Sequence, residues 1–285
     1  MQEKQIQWFP GHMAKTRRMI SENLKNVDIV IEILDARIPR SSKNPEIGRL
    51  IGQKPSLVLL NKCSLADPAR TKEWVDYFTS DSSFCIATDC ITGEGLKSIA
   101  PAVKGILSEK VERYEMKGMN GRSLKAMILG IPNVGKSSLI NKLCGAKKAK
   151  VENRPGVTLD KQWVATNAGL DLLDMPGVLW PKFDDRTVGE NLALTGAIKD
   201  SILDIESLAA VLCARLSKNY PAMLCGRYKL DGIPEELKPY QIVELIGKKR
   251  GFLISGGEIN TERTANMLLD EFRSGKIGRI TLDII

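Results

Sequence analysis

The first 180 residues alternate short, β-branched apolar runs with longer stretches in which apolar residues recur at helical spacing. The short runs, at residues 28–34, 56–60, 84–88, 123–130, 162–166 and 170–174, predict six strands. Between them, Asp67 caps a helix that Pro68 opens and that runs to about residue 78, and a second helix spans residues 95–116. Residues 2–25 carry an amphipathic helix with Lys15, Arg17 and Arg18 on its polar side. Strands alternating with helices predict an α/β fold, a mostly parallel sheet with helices on both faces. Ligands of such sheets sit at the carboxyl ends of the strands, so the loops there should hold the chemistry. After Trp180 the strand pattern stops. Helices at residues 187–199, 205–218, 234–247 and 261–274, punctuated by Pro181, Pro221, Pro234 and Pro239, predict a small all-helical unit. The chain thus divides into residues 1–180 and 181–285, with the boundary within residues 179–185.

The loop after the fourth strand reads Gly130-Ile131-Pro132-Asn133-Val134-Gly135-Lys136-Ser137 and matches GxxxxGK[ST] between a strand and a helix. Glycines there let backbone N–H groups converge on phosphate oxygens at a helix amino terminus. Asn133, Val134, Gly135, Lys136, Ser137 and Ser138 are the expected phosphate cradle, with Lys136 neutralising the β and γ phosphates and Ser137 ligating magnesium. The sixth strand ends in Asp174-Met175-Pro176-Gly177, a DxxG. Asp174 can hold the magnesium shell, and the Gly177 N–H can meet the γ phosphate. Between the two motifs, Arg154-Pro155-Gly156-Val157-Thr158 offers Thr158 as a second hydroxyl ligand of the metal.

Signals for base recognition come earlier in the chain. Asn61-Lys62-Cys63-Ser64 follows the second strand, where a GTPase carries NKxD, its Asp accepting two hydrogen bonds from guanine. Residues 89–96 match SAxxGxGL, with Asp89 and Cys90 in place of Ser and Ala. Base recognition, phosphate loop and switches therefore run in the order of a circularly permuted GTPase domain. Ser64 stands where the carboxylate is usual, and a hydroxyl accepts only part of what a carboxylate accepts. Guanine should stay preferred through Asn61, Lys62 and the loop from Asp89, by a margin narrowed by roughly 1–3 kcal/mol. Asp67 could substitute only if the loop bent back, against its role as a helix cap.

The chain resembles the circularly permuted GTPases of the ribosome biogenesis GTPase A family. The likeness lies in Trp8-Phe9-Pro10-Gly11-His12-Met13-Ala14-Lys15, Asp35-Ala36-Arg37-Ile38-Pro39, the phosphate loop, the Thr158 and Asp174 motifs, Leu179-Trp180-Pro181-Lys182-Phe183, Thr195-Gly196-Ala197-Ile198-Lys199 and Ser255-Gly256-Gly257. It runs nearly end to end. The resemblance implies a GTPase acting late in assembly of the large ribosomal subunit, binding GTP or GDP with Mg2+ and hydrolysing GTP when docked on the particle or its precursor. It also implies that residues 181–285 contact ribosomal RNA. Val178 occupies the place after DxxG where many GTPases carry a water-orienting Gln. The family likeness marks His12, the only histidine, as a candidate for that task, which an imidazole can perform near neutral pH. The expected catalytic set is thus His12, Lys136, Thr158 and Gly177. Asn133 is similar to the Asn that binds K+ in related GTPases.

Charge adds a partner class to this picture. Of the net charge of +8, all belongs to the first part: residues 1–179 carry 27 Lys and Arg against 19 Asp and Glu, and residues 180–285 carry 15 of each. Clustered basic residues favour a polyanion such as RNA. No apolar run approaches the roughly 18 residues that would span a bilayer, and the first 20 residues lack a secretory pattern. Six scattered cysteines without a CxxC pair read as small buried hydrophobes of a reduced, cytoplasmic protein, monomeric away from the ribosome and without a membrane partner. Two other readings compete, a metabolic P-loop phosphotransferase, against which Asn61 and Lys62 count, and a nucleotide-dependent RNA-binding scaffold with little hydrolysis.

Overall fold

The computed structural model describes residues 10–79, 83–119, 121–145, 162–180, 183 and 185–285, with side chains from residue 14 onward. All six expected strands form: β1 (Ile29–Asp35), β2 (Ser56–Asn61), β3 (Phe84–Ala87), β4 (Leu124–Gly130), β5 (Gln162–Ala165) and β6 (Leu170–Asp174). They make one sheet in the order β3-β2-β1-β4-β6-β5, parallel throughout except for β5, which runs antiparallel to β6. Strands β1, β2 and β4 are covered on both faces, which is why their sequences are continuous apolar runs rather than alternating ones. Parallel alignment brings Asp35, Asn61, Ala87, Gly130 and Asp174 to the same edge.

Around the sheet lie α1 (Pro10–Leu24), α2 (Pro45–Ile51), α3 (Pro68–Phe78), α4 (Leu96–Ile106), α5 (Ser108–Met116) and α6 (Lys136–Cys144). The helix α3 begins as expected, with the Asp67 carboxylate accepting from the Ala69 and Arg70 N–H groups. The single helix anticipated over residues 95–116 is instead two. Leu107 turns the chain, burying its own side chain, and α5 then lies on the surface without a buried residue, tied back by Lys110 to Asp28. After Trp180 come α7 (Arg186–Leu194), α8 (Ile205–Asn219), α9 (Pro221–Tyr228), α10 (Pro239–Lys249) and α11 (Thr261–Arg273). Helix α7 stops five residues short of the expected end. Gly196 takes the left-handed conformation there, and the Ala197 N–H returns to the Leu192 carbonyl, a turn that closes a helix. Helix α10 starts at Pro239 rather than Pro234, with the Gln241 side chain accepting from the Lys238 N–H. The short helices α2 and α9 had no counterpart in the sequence pattern, since one or two turns carry too few apolar residues to show a period.

The main core runs without a break from sheet residues such as Ile31 and Leu59 through Leu179 and Trp180 to Leu192, Leu212 and Leu268 of the helical part. Trp180 meets Phe183 edge to face, with ring centroids 5.1 Å apart. After α11 the chain returns to the sheet, an arrangement without any sequence signal. The Arg279 guanidinium donates to the carbonyls of Ala66 and Cys63, the Ile280 N–H to Leu65, and the Leu282 N–H to Arg37. Farther along, the Asp283 carboxylate accepts from the Ser41 N–H and hydroxyl and from Asn191 of α7. The last residues thus clamp the loops that follow β1 and β2. Ile280 is 0% exposed in this clamp, and Ile280→Ala is expected to lower stability by about 2–4 kcal/mol in urea unfolding. A loss under 0.5 kcal/mol would show that the returning segment adds little to the fold.

Candidate nucleotide site

The phosphate loop leaves β4 at Gly130 and enters α6 at Lys136, so the amino terminus of α6 opens at the carboxyl edge of the sheet. Gly135 sits at φ 106° with the Asn61 side chain directly over its Cα, a position that excludes any side chain. Lys136 is buried, its Nζ donating to the carbonyls of Gly130 at 3.2 Å and Ile131 at 2.8 Å. Burial, with Lys62 adding and Asp174 opposing, pushes the Lys136 ammonium down to about 8. A desolvated cation whose hydrogen-bond partners among the described residues are two neutral carbonyls is poised to receive an anion.

Asp174 ends β6 beside this lysine. Its Oδ1 is buried with no hydrogen-bond partner among the described residues, and burial raises its pKa against the opposing pull of Lys136 and the Met175 N–H. A carboxylate oxygen left unpaired beside Lys136 of the phosphate loop suits a magnesium ion, which takes few protein ligands and completes its shell with phosphate oxygens and water. No cluster of three His, Cys, Asp or Glu side chains suited to a metal occurs among the described residues, and a phosphate-bound magnesium ion needs none. Gly177 lies hard against the loop: a Cβ there would fall 2.8 Å from the Pro132 Cα and 3.1 Å from the Lys136 Nζ. The DxxG segment and the phosphate loop therefore meet across a gap that only glycine leaves open. Thr158 and the rest of residues 146–161 lie outside the described residues, as does the His12 side chain.

At the other end of the edge, β2 delivers the loop expected to recognise the base. The Asn61 Nδ2 donates to the Val134 carbonyl at 2.7 Å, and the Lys62 Nζ to the Asn133 carbonyl at 2.7 Å, so both side chains brace the phosphate loop. Lys62 has φ 61°, which turns the chain into the short 3-10 turn Cys63–Leu65. Its Nζ also donates to Asp35 at the end of β1, and Arg37 donates to the same carboxylate through Nε and Nη2. Burial opposes ionisation of Asp35, but the two cations beside it win and hold its carboxyl far below the ordinary carboxylate range. Burial lowers the Lys62 pKa against the pull of Asp35. Cys90 lies under the base loop, its Sγ donating to Asn61 Oδ1 at 3.4 Å. Burial first, and then the Asp89 charge, push that thiol up to about 11. The Ser64 hydroxyl donates to Asp89 Oδ2, which fastens the loop after β2 to the loop after β3. Asp67 remains a cap and lends nothing to the base loop.

A family model described as the 50S ribosome-binding GTPase matches residues 125–222. Ribosome biogenesis GTPase A of Priestia megaterium is 49% identical over 279 residues, which cover 98% of this chain and 96% of the relative. The chain belongs to the ribosome biogenesis GTPase A family. Mitochondrial ribosome-associated GTPase 1 of Mus musculus is 35% identical over 97% of this chain and 89% of its own. Among solved structures, GNP-bound YlqF from T. maritima superposes with a TM-score of 0.62 at 25% identity, over 94% of this chain and 97% of that one. The GDP-bound form gives 0.65 at 26% identity, over 93% and 98%. The protein is a GTPase.

Three features of this GTPase were not anticipated from its sequence as parts of the site. Asp35 and Arg37 form a buried ionic hub beneath Lys62; the Asp35-Ala36-Arg37-Ile38-Pro39 motif belongs to the family likeness, but no role in the site was read from it. Asn133 spends its Nδ2 on the Gly196 carbonyl at 2.7 Å, which ties the phosphate loop to the end of α7. Arg273 at the end of α11 donates to the carbonyls of Ala193 and Leu194, while its own carbonyl accepts from Arg37. The nucleotide edge and the helical part are therefore joined through the same few residues.

Proposed function

We propose that this GTPase serves assembly of the large ribosomal subunit in the cytoplasm, that docking on the subunit or its precursor gates hydrolysis, and that residues 181–285 form a unit that touches ribosomal RNA. The observation that carries the gating is the burial of Val178. It is 3% exposed in a small core with Ile20, Met127, Leu173 and Met175, so the position after DxxG presents no polar group to an attacking water. The water must be oriented by another residue. Ile20 anchors α1 in that same core, and His12 lies in the first turn of α1, about 12 Å along the helix axis at 1.5 Å per residue. The helix that carries the imidazole is thus seated against the segment leaving Gly177.

In this reading Lys136 neutralises the β and γ phosphates, the Gly177 N–H meets the γ phosphate, and His12 orients the water. Ser137, Thr158 and Asp174 would hold Mg2+, which spreads charge away from the transferring phosphoryl group. Asn133, its Nδ2 committed to Gly196, has Oδ1 left for a K+ ion. Asn61, Lys62, Ser64, Asp89 and Cys90 shape the guanine end, and Val134, Gly135 and Ser138 complete the phosphate cradle. The 50S description of the matching family model and the excess of basic residues in residues 1–179 both support a ribosomal partner rich in RNA. No helix of the described residues is long and apolar enough to cross a membrane.

Phosphate release measured with large subunits, small subunits or free RNA tests this reading. Strong stimulation by large subunits alone is expected, in potassium more than in sodium. His12→Ala should lower the stimulated rate about 100-fold or more while sparing GTP affinity. Unchanged stimulated turnover in that variant would remove His12 from the mechanism, and equal rates in the two salts would remove the ion. Stimulation by no particle would leave a nucleotide-dependent RNA-binding scaffold.

A further inference from the structure

Compared with the usual GTPase motifs, two side chains at the base end have changed places. Ser64 occupies the Asp position of NKxD, and Asp89 occupies the Ser position of SAxxGxGL. The structure brings the two into contact, the Ser64 hydroxyl donating to Asp89 Oδ2 at 2.5 Å and the Ser64 N–H to the same oxygen at 3.3 Å. The other carboxylate oxygen, Oδ1, accepts from the N–H groups of Ile91 at 2.6 Å and Thr92 at 3.0 Å. Asp89 is 1% exposed, whereas Ser64 is half-buried at the rim. A base entering beside Lys62 can therefore meet the Ser64 oxygen but not the Asp89 carboxylate.

A free hydroxyl either donates or accepts, and so would serve adenine, whose N1 accepts, as readily as guanine, whose N1–H and N2–H donate. Here the choice is removed. Burial raises the Asp89 pKa, but the Ser64 hydroxyl and the N–H groups of Thr92, Ile91 and Ser64 more than reverse it, so the group is ionised and accepts only. Its demand for a proton from Ser64 orients that hydroxyl away from the base. We propose that Asp89 is a positioning residue for nucleotide choice: by taking the Ser64 proton it makes Ser64 Oγ an obligate acceptor, which selects guanine over adenine without a carboxylate touching the base. The inference rests on the reading that the base lies against the loop of residues 61–64.

Asp89→Asn tests it with almost no change of shape. The Ile91 and Thr92 N–H groups need an acceptor and will hold the amide oxygen, which leaves the amide NH2 facing Ser64. That group donates, so the Ser64 hydroxyl is turned outward as a donor. Titrations of the full-length protein with GDP and with ADP should then show the GDP preference reduced about tenfold or more, the weight of one good base contact. Ser64→Asp alone sets two carboxylates against each other and should lose GDP binding. The double variant Ser64→Asp with Asp89→Ser restores the usual arrangement and should regain a preference at least as large as that of the parent. A GDP preference unchanged in Asp89→Asn, or a double variant no better than Ser64→Asp, would overturn the positioning role. Parent protein that binds GDP and ADP equally would instead overturn the guanine reading beneath it.

Discussion

Lys136→Ala is expected to weaken GTP binding by about 2–5 kcal/mol, a loss of roughly 30-fold to several thousand-fold in affinity, and to bring turnover to background. The reason lies in the state of the lysine before nucleotide arrives. Its ammonium is buried, its pKa is depressed to about 8, and its hydrogen-bond partners among the described residues are the Gly130 and Ile131 carbonyls. The folded protein bears the cost of desolvating that charge, and the phosphates offset it on binding. Removing the side chain should therefore weaken binding by that amount without weakening the fold, and the nucleotide-free variant should melt at or slightly above the parent temperature. Fluorescence titration with a labelled nucleotide, alongside thermal unfolding, separates the two effects. Affinity within threefold of the parent would show that the lysine does not meet the phosphates.

Asp35→Ala has the opposite character, with its effect falling on the fold first. The carboxylate is enclosed at the end of β1, accepting from the Arg37 N–H, Nε and Nη2 and from the Lys62 Nζ at 2.7–3.1 Å. Arg37 is itself among the largest fully buried side chains. Taking away the one anion strands two cations in the interior, which costs about 3–5 kcal/mol. Against a total stability on the order of 5–15 kcal/mol, that is enough to leave a weakly folded protein. Asp35→Asn keeps the shape and loses the charge, so a similar penalty in both variants would assign the effect to electrostatics rather than to a cavity. Because the folded Asp35 carboxyl lies below its unfolded value, its stabilisation is full above the ordinary carboxylate range near pH 4 and is lost only as pH falls through the depressed value. Urea unfolding at neutral pH is the measurement, and a loss under 1 kcal/mol for Asp35→Ala would show the hub to be dispensable. Lys62 braces the phosphate loop from this same hub, so any Asp35→Ala protein that survives should also bind nucleotide less well.

Much of this molecule is written locally. The six strands, the Asp67 cap, the phosphate loop, DxxG and the reversed order of base and phosphate motifs are each set by a few neighbouring residues, through side-chain period, cap chemistry or turn glycines. A chain segment carries those preferences wherever it lies, so a reading of segments recovers them. Helix ends were less legible, because Leu107 breaks a helical pattern to reach a core that the pattern does not contain. What only the tertiary structure decided is pairing across long separations. Asp283 meets Ser41, Arg279 clamps the carbonyls of Cys63 and Ala66, Asn133 is tied to Gly196, and Ser64 finds Asp89. Buried polar groups must find partners, but neither the obligation nor a side chain's own sequence neighbours say which of the distant candidates will supply them. The motifs therefore marked the segments expected to hold the nucleotide and their order along the chain, and the parallel strands bring those segments to one edge of the sheet. The packing of β1, β2, β4, α7 and the returning carboxyl terminus decided which charges are enclosed there and which way each hydroxyl points.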